Sequence, residues 1–222
     1  MHFGPNNPCL SYVLDNVKLD NVSDFKDLGV VISKTCSFKE HISLIVSKAN
    51  RFLGIINRTF VTKNKRVFLT LYKSHVRSTL EYCSILWCPY HVTLSDRIET
   101  VQRRFTRFFP ELRTLQYRDR LAQLNLLSLY ARRLRYKLIY MFKIVNRLTS
   151  IDPDDIFSFS PSPRGHSLKI IPISSVRDCR RYFFFVDVIF TWNDLHESEI
   201  NVESVAQFKR SVSLYFRRKH IW

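Results

Sequence analysis

Eight basic side chains in two clusters are the residues of this sequence best suited to chemistry, and the chemistry is the binding of phosphate. Arg97, Arg103, Arg104 and Arg107 fall within one helical stretch, and Arg132, Arg133, Arg135 and Lys137 within another. A guanidinium offers forked donors that match phosphate oxygens and a flat face that stacks on bases. Arg103 and Arg104 lie one turn from Arg107, so two of the three can follow one strand of a backbone. Between positions 97 and 147 there are 13 basic residues and three acids, Glu99, Glu111 and Asp119, too few to neutralise them. A solvated basic face with some internal ion pairs is the bland alternative.

Other chemistry finds little support. A polymerase needs adjacent carboxylates to hold two metal ions about 4 Å apart. The nearest approach is Asp152, Asp154 and Asp155, which a proline interrupts and no hairpin fixes. They read as a solvated loop or helix cap. Cys83, Cys88 and His91 have superficial zinc spacing but lack the second ligand pair that a tetrahedral site requires; the two cysteines are expected to pack as small apolar groups. No serine or cysteine occupies a nucleophile elbow. His166 follows Arg164-Gly165 and reads as a turn histidine bonded to backbone. The expectation is a chain with no catalytic residue, no metal and no cofactor of its own.

The elements that must position the arginines come from a 222-residue chain that is 45% hydrophobic and 24% charged, a globular composition. Four glycines argue against glycine-rich phosphate loops and against a turn-rich all-β fold. The net charge of +16 favours a polyanionic partner, because each phosphate neutralised releases condensed counterions. The five cysteines form no repeated spacing, and Met1 is followed by no basic stub and apolar run. The most apolar stretch, 182–190, is too short to span a bilayer. An intracellular protein, nuclear or cytoplasmic and off the membrane, is expected.

Strands come first. Tyr12-Val13-Leu14 and Val17-Lys18-Leu19 flank Asp15-Asn16, a hairpin turn pair, and 28–32 reads as a third strand. Ser37 and Glu40 have capping-box spacing, and Ile42, Ile45, Val46, Ala49, Phe52, Leu53 and Ile56 then form one apolar stripe. A second helix is predicted over 64–87, ended by Pro89, with its apolar second half at the centre of the bundle. A third, over 95–109, buries Ile98, Val101, Phe105 and Phe108. A short helix over 117–124 and a long one over 128–148 follow. A proline- and serine-rich linker precedes a strand pair (168–173 and 176–179), an aromatic helix (182–195) and a last helix with the box Ser204 to Gln207. The chain is thus expected to be mainly α, a helical bundle with a small N-terminal β-hairpin region and a short β pair near the C-terminus. Its divisions are 1–36, 37–150, the linker 151–166, and 167–222.

One ordered set of words carries a family likeness. Leu80-Glu81-Tyr82, Trp87, Pro89-Tyr90 and the run from Ile98 to Arg104 resemble a segment of the reverse transcriptases of non-LTR (LINE-type, jockey and CR1-like) retrotransposons. Leu28-Gly29-Val30, Leu71-Tyr72-Lys73-Ser74, Arg132-Arg133-Leu134, Gly165-His166-Ser167-Leu168 and Trp192-Asn193 match in the same order. The family departs from this chain where Ser78, Leu127 and His196 stand in place of its prolines. The resemblance implies that residues 1–36 are the strands just after the palm, which help hold the primer end, and that the helices are the thumb and the region beyond it. It puts the catalytic aromatic-Ala-Asp-Asp turn, and the magnesium it binds, upstream of Met1 in a parent RNA-directed DNA polymerase.

On that likeness the chain is expected to grip RNA, DNA or an RNA–DNA hybrid by its backbone, without catalysis, and to complement missing upstream palm and fingers. The face of Tyr12, Leu14, Val30 and Ile32 should then be exposed and prone to association. The rival reading is a basic helical scaffold for an acidic protein partner.

Overall fold

The computed structural model describes residues 1–4, 7–61, 63–160 and 165–221. The chain is mainly helical, with two small antiparallel sheets near its start. In the first, β1 (Val13–Leu14) pairs with β2 (Val17–Lys18). Asp15 and Asn16 between them both have positive φ, the conformation a two-residue hairpin demands and these residues tolerate. In the second, β3 (Asp24–Asp27) pairs with β4 (Val30–Ser33). Leu28 and Gly29, expected to open a strand, instead form its turn, with φ of 44° and 88°. The first hairpin is exposed, but Val30 is buried and Ile32 packs on the core, so these two do not share the open face expected of them.

Helix α1 (Lys39–Thr59) buries His41, Ile42, Ala49, Leu53 and Ile56 at helical spacing. The expected capping box does not form. Phe38, not Ser37, precedes the first turn, in a left-handed conformation with no side-chain cap. The long second helix is also not continuous. It runs as α2 (Lys65–Leu71), widens into a π-helical turn (Tyr72–Arg77) and continues as α3 (Ser78–Glu81). It breaks at Tyr82 and at Cys83, whose φ is 51°, before α4 (Ser84–Trp87). The wide turn sets Tyr72 flat against Phe105, with ring centroids 4.0 Å apart. The break leaves Cys83 and Tyr82 exposed while Leu80 and Trp87 stay buried.

Next come α5 (Val92–Thr106), α6 (Tyr117–Gln123) and α7 (Leu129–Val145). Phe109, beyond the end of α5, is the fully buried phenylalanine there; Phe108 is half-buried. Ser128 caps α7 through Ala131 N–H. Arg147 bonds Asp152 and Asp154, and Asp152 caps the short turn Pro153–Asp155. The expected β pair at 168–179 is absent among the described residues. Phe159 bridges Ile170 instead, while Asp178–Arg181 forms the short helix α8. Residues 161–164 of the expected linker lie outside the described residues. Helices α9 (Phe184–Asn193), α10 (Glu197–Ile200) and α11 (Val205–Arg218) complete the chain, the last with the reciprocal Ser204–Gln207 box. No helix among the described residues is long and apolar enough to cross a membrane.

Two hydrophobic clusters result. One joins β4, α1, α5 and α6 around Phe68, Tyr72 and Phe105; the other joins α7, α9 and α11 around Phe142, Trp192 and Phe208. Phe157, within the expected linker, and Ile170, just beyond it, belong to the second. Each cluster encloses a histidine. His41 Nδ1 accepts from Val31 N–H at 3.3 Å, and His166 Nε2 lies 3.0 Å from the Trp192 carbonyl oxygen.

Burial holds both imidazoles below their usual pKa. The unfolded chain therefore takes up protons first as pH falls through about 6.5, and stability declines with it. The urea midpoint should be lower at pH 5.5 than at pH 7.5. An equal midpoint at both would show that neither histidine is held neutral.

Candidate nucleic-acid interface

The two basic clusters meet opposite fates. Helix α5 packs one stripe, Leu94, Ile98, Val101, Gln102 and Phe105, into the core. The opposite surface is what helical geometry leaves to water. Arg97, Arg104 and Arg107 are exposed there, at i, i+7 and i+10, and none forms an ion pair among the described residues. Arg104 Nη1 reaches Asn50 Oδ1 of α1 at 3.5 Å, a weak contact that sets the strip beside α1. Arg103 is different. It is half-buried, pairs with Asp96 at 3.3 Å and lies over the Tyr117 ring. Part of its charge is spent inside the molecule.

The α7 cluster is mostly structural. Arg132 forks onto Glu81, with Nη2 to Oε2 at 2.9 Å, and Tyr136 closes the triangle by donating to the same carboxylate. Burial opposes the Arg132 charge, yet the Glu81 carboxylate outweighs it and raises the guanidinium's pKa. Arg133 is 2% exposed; its Nη2 donates to Ser95 Oγ at 2.8 Å, while Nε and Nη1 have no partner. Lys137 is buried against Asp187 of α9. Arg135 is half-buried and donates to Ser213 of α11 at 2.9 Å. Four cations expected at a phosphate surface thus tie α7 to α3, α5, α9 and α11. The sequence could not show this, because the partners lie 38 to 78 residues away.

What holds α5 and α7 in register is a polar network that sequence reasoning did not find. Glu99, only 6% exposed, accepts from the N–H groups of Leu129 and Tyr130 at 3.1 Å each and from the Tyr117 hydroxyl. Its charge sits at the first turn of α7, where the helix dipole favours an anion. Gln102 donates to Tyr117 Oη and to the Leu127 carbonyl, both at 3.0 Å, and accepts from Tyr72. Burial first, and then the Glu99 charge, push the Tyr117 phenol far above its usual pKa. Arg120 is likewise interior, donating to Thr106 and to the Leu115 carbonyl. The one signal available was an acid on the apolar side of a helix.

Asp152 and Asp154 share one cation, Arg147, at the surface. Among the described residues no group of three or more His, Cys, Asp or Glu side chains is placed to hold a metal ion. Comparisons of the chain with protein-family models, curated proteins and solved structures returned no match.

Proposed function

We propose that this chain holds a nucleic-acid backbone on the exposed strip of α5, as the non-catalytic post-palm and thumb portion of a LINE-type reverse transcriptase. The observation that supports it is the fate of Arg97, Arg104 and Arg107: three exposed cations from the second turn of α5 to its C-terminal cap, none in an ion pair among the described residues. A helix rises about 1.5 Å per residue, so Arg97 and Arg107 span roughly 15 Å, two phosphate steps or more of an extended strand. Arg103, Arg135 and the buried α7 cations act through the fold: Arg133 ties α7 to α5 at Ser95, and the others brace neighbouring elements. In this reading the chain carries no polymerase centre, and the purified protein incorporates no nucleotide with any template, primer or divalent metal. Metal-dependent incorporation would overturn that part.

The rival, a scaffold for an acidic protein, uses the same charges but not the same spacing. Fluorescence anisotropy with a labelled RNA–DNA hybrid separates the two. The hybrid should bind with slight sequence preference, since phosphate contacts position without reading bases. Polyglutamate at equal charge concentration should displace it poorly. Efficient displacement, with hybrid binding no stronger than polyglutamate binding, would favour the scaffold.

A further inference from the structure

A second basic site lies away from α5. The β3–β4 hairpin, α1 and the end of α3 enclose a cleft of about 710 Å³, within the range of small-ligand pockets. From the hairpin come Lys26 and its cross-strand neighbour Val31. From α1 come His41, Leu44, Ile45, Lys48 and Arg51, whose spacing of three and four places them along one side of the helix. Tyr82 closes the far wall, and its hydroxyl donates to the Leu28 carbonyl at 2.9 Å, which pins the ring to the hairpin turn.

Three features of this cleft point to a ligand. Lys26, Lys48 and Arg51 line it, none forms an ion pair among the described residues, and no Asp or Glu is in the lining. Three like charges at one mouth repel until an anion sits among them, and a phosphomonoester brings nearly two charges where a diester brings one. Val31, Leu44, Ile45 and the Tyr82 ring give the cleft an apolar side, with the hydroxyls of Ser47, Ser78 and Thr79 beside it, which suits a ligand body rather than a bare ion. The third feature is His41, 2% exposed. Val31 N–H occupies Nδ1 as acceptor, which leaves the proton on Nε2, and Nε2 is buried with no partner. A buried donor without an acceptor costs about 1–3 kcal/mol, which a ligand oxygen relieves once its entry opens a path from the cleft to the imidazole.

We propose that the cleft binds a phosphomonoester on an aromatic body of nucleotide size, with the phosphate on Lys26, Lys48 and Arg51 and the body against Val31, Ile45 and Tyr82. Two sources carry this chemistry, a free mononucleotide and the 5′-phosphorylated end of a strand. The site shares no lining residue with Arg97, Arg104 or Arg107, so it stands or falls apart from the backbone strip.

Calorimetry on the full chain with AMP, adenosine, inorganic phosphate, and a short RNA with and without a 5′-phosphate tests this. AMP should bind one to one, and about tenfold or more tighter than adenosine or inorganic phosphate, because each of those lacks half the recognised chemistry. Lys48→Ala/Arg51→Ala should weaken AMP by about tenfold or more. Lys26→Ala, an exposed change on the hairpin, should weaken it too and guards against misfolding of the double variant, which circular dichroism checks. The Arg97→Ala/Arg104→Ala/Arg107→Ala chain should keep its AMP affinity. A 5′-phosphorylated RNA binding more tightly than AMP names the strand end as ligand, and the reverse order names the free nucleotide. AMP binding no tighter than adenosine or phosphate, or unaltered by the lysine and arginine changes in folded protein, would overturn the proposal.

Discussion

Glu99→Ala should be among the most destabilising single changes in the chain, lowering unfolding free energy by about 3–5 kcal/mol. The carboxylate serves three donors in a buried setting, the N–H groups of Leu129 and Tyr130 and the Tyr117 hydroxyl. Truncation leaves all three dry and unpaired and removes the anion from the first turn of α7. For a domain of this size the melting temperature should fall by roughly 6–20 °C. Glu99→Gln keeps the shape and one acceptor oxygen and should lose clearly less. Chemical denaturation of the two variants beside the wild type reads this directly. A loss below about 1 kcal/mol for Glu99→Ala would mean that water replaces the carboxylate and that the network does not join α5 to α7.

The second large effect is on binding. Each phosphate contact adds about 0.7 to 0.9 to the slope of log affinity against log salt, so removing three cations should flatten it by roughly 2 to 3. The same substitutions should cost little stability, since Arg97, Arg104 and Arg107 lie on the exposed side of α5 and form no ion pair among the described residues. Substitutions at Arg132, Arg133 and Lys137 should behave in the opposite way. Arg132→Ala leaves Glu81 with only the longer Arg77 pair at 3.8 Å and the Tyr136 hydroxyl, and Lys137→Ala strands Asp187. Both should reduce stability and leave the salt slope unaltered in whatever fraction remains folded.

The contrast between the clusters marks what could be read from the residues alone. Local devices were legible. Asp15-Asn16 turned the hairpin, Pro89 followed the end of α4, and Ser204 with Gln207 closed a box, because each needs partners only a few residues away. The break at Tyr82–Cys83 was not legible, since neither residue is a proline or glycine; the Tyr82 hydroxyl bond to Leu28, 54 residues distant, holds one side of it. Ser37 and Glu40 had the spacing of a cap, but the chain enters α1 through Phe38 in a left-handed turn that sends that side chain to the core.

For the candidate site, the arginines of α5 were legible as a face because the apolar stripe opposite them is periodic. Those of α7 were read in the same way and largely misplaced. That helix lies between two cores, and its polar positions meet carboxylates and hydroxyls of other elements rather than water. The cleft of Lys26, Lys48, Arg51 and His41 was invisible for a related reason: the hairpin and α1 supply its cations from separate segments, and none is part of a local motif.

The most direct test of the central claim is the salt dependence of binding to an RNA–DNA hybrid for two folded variants, measured by fluorescence anisotropy. One is Arg97→Ala/Arg104→Ala/Arg107→Ala and the other is Arg135→Ala, with the wild type beside them. If the strip on α5 holds the backbone, the triple variant should flatten the slope by roughly 2 to 3 while Arg135→Ala leaves it at the wild-type value. A triple variant that folds and keeps the wild-type slope would contradict the account and take α5 out of the interface.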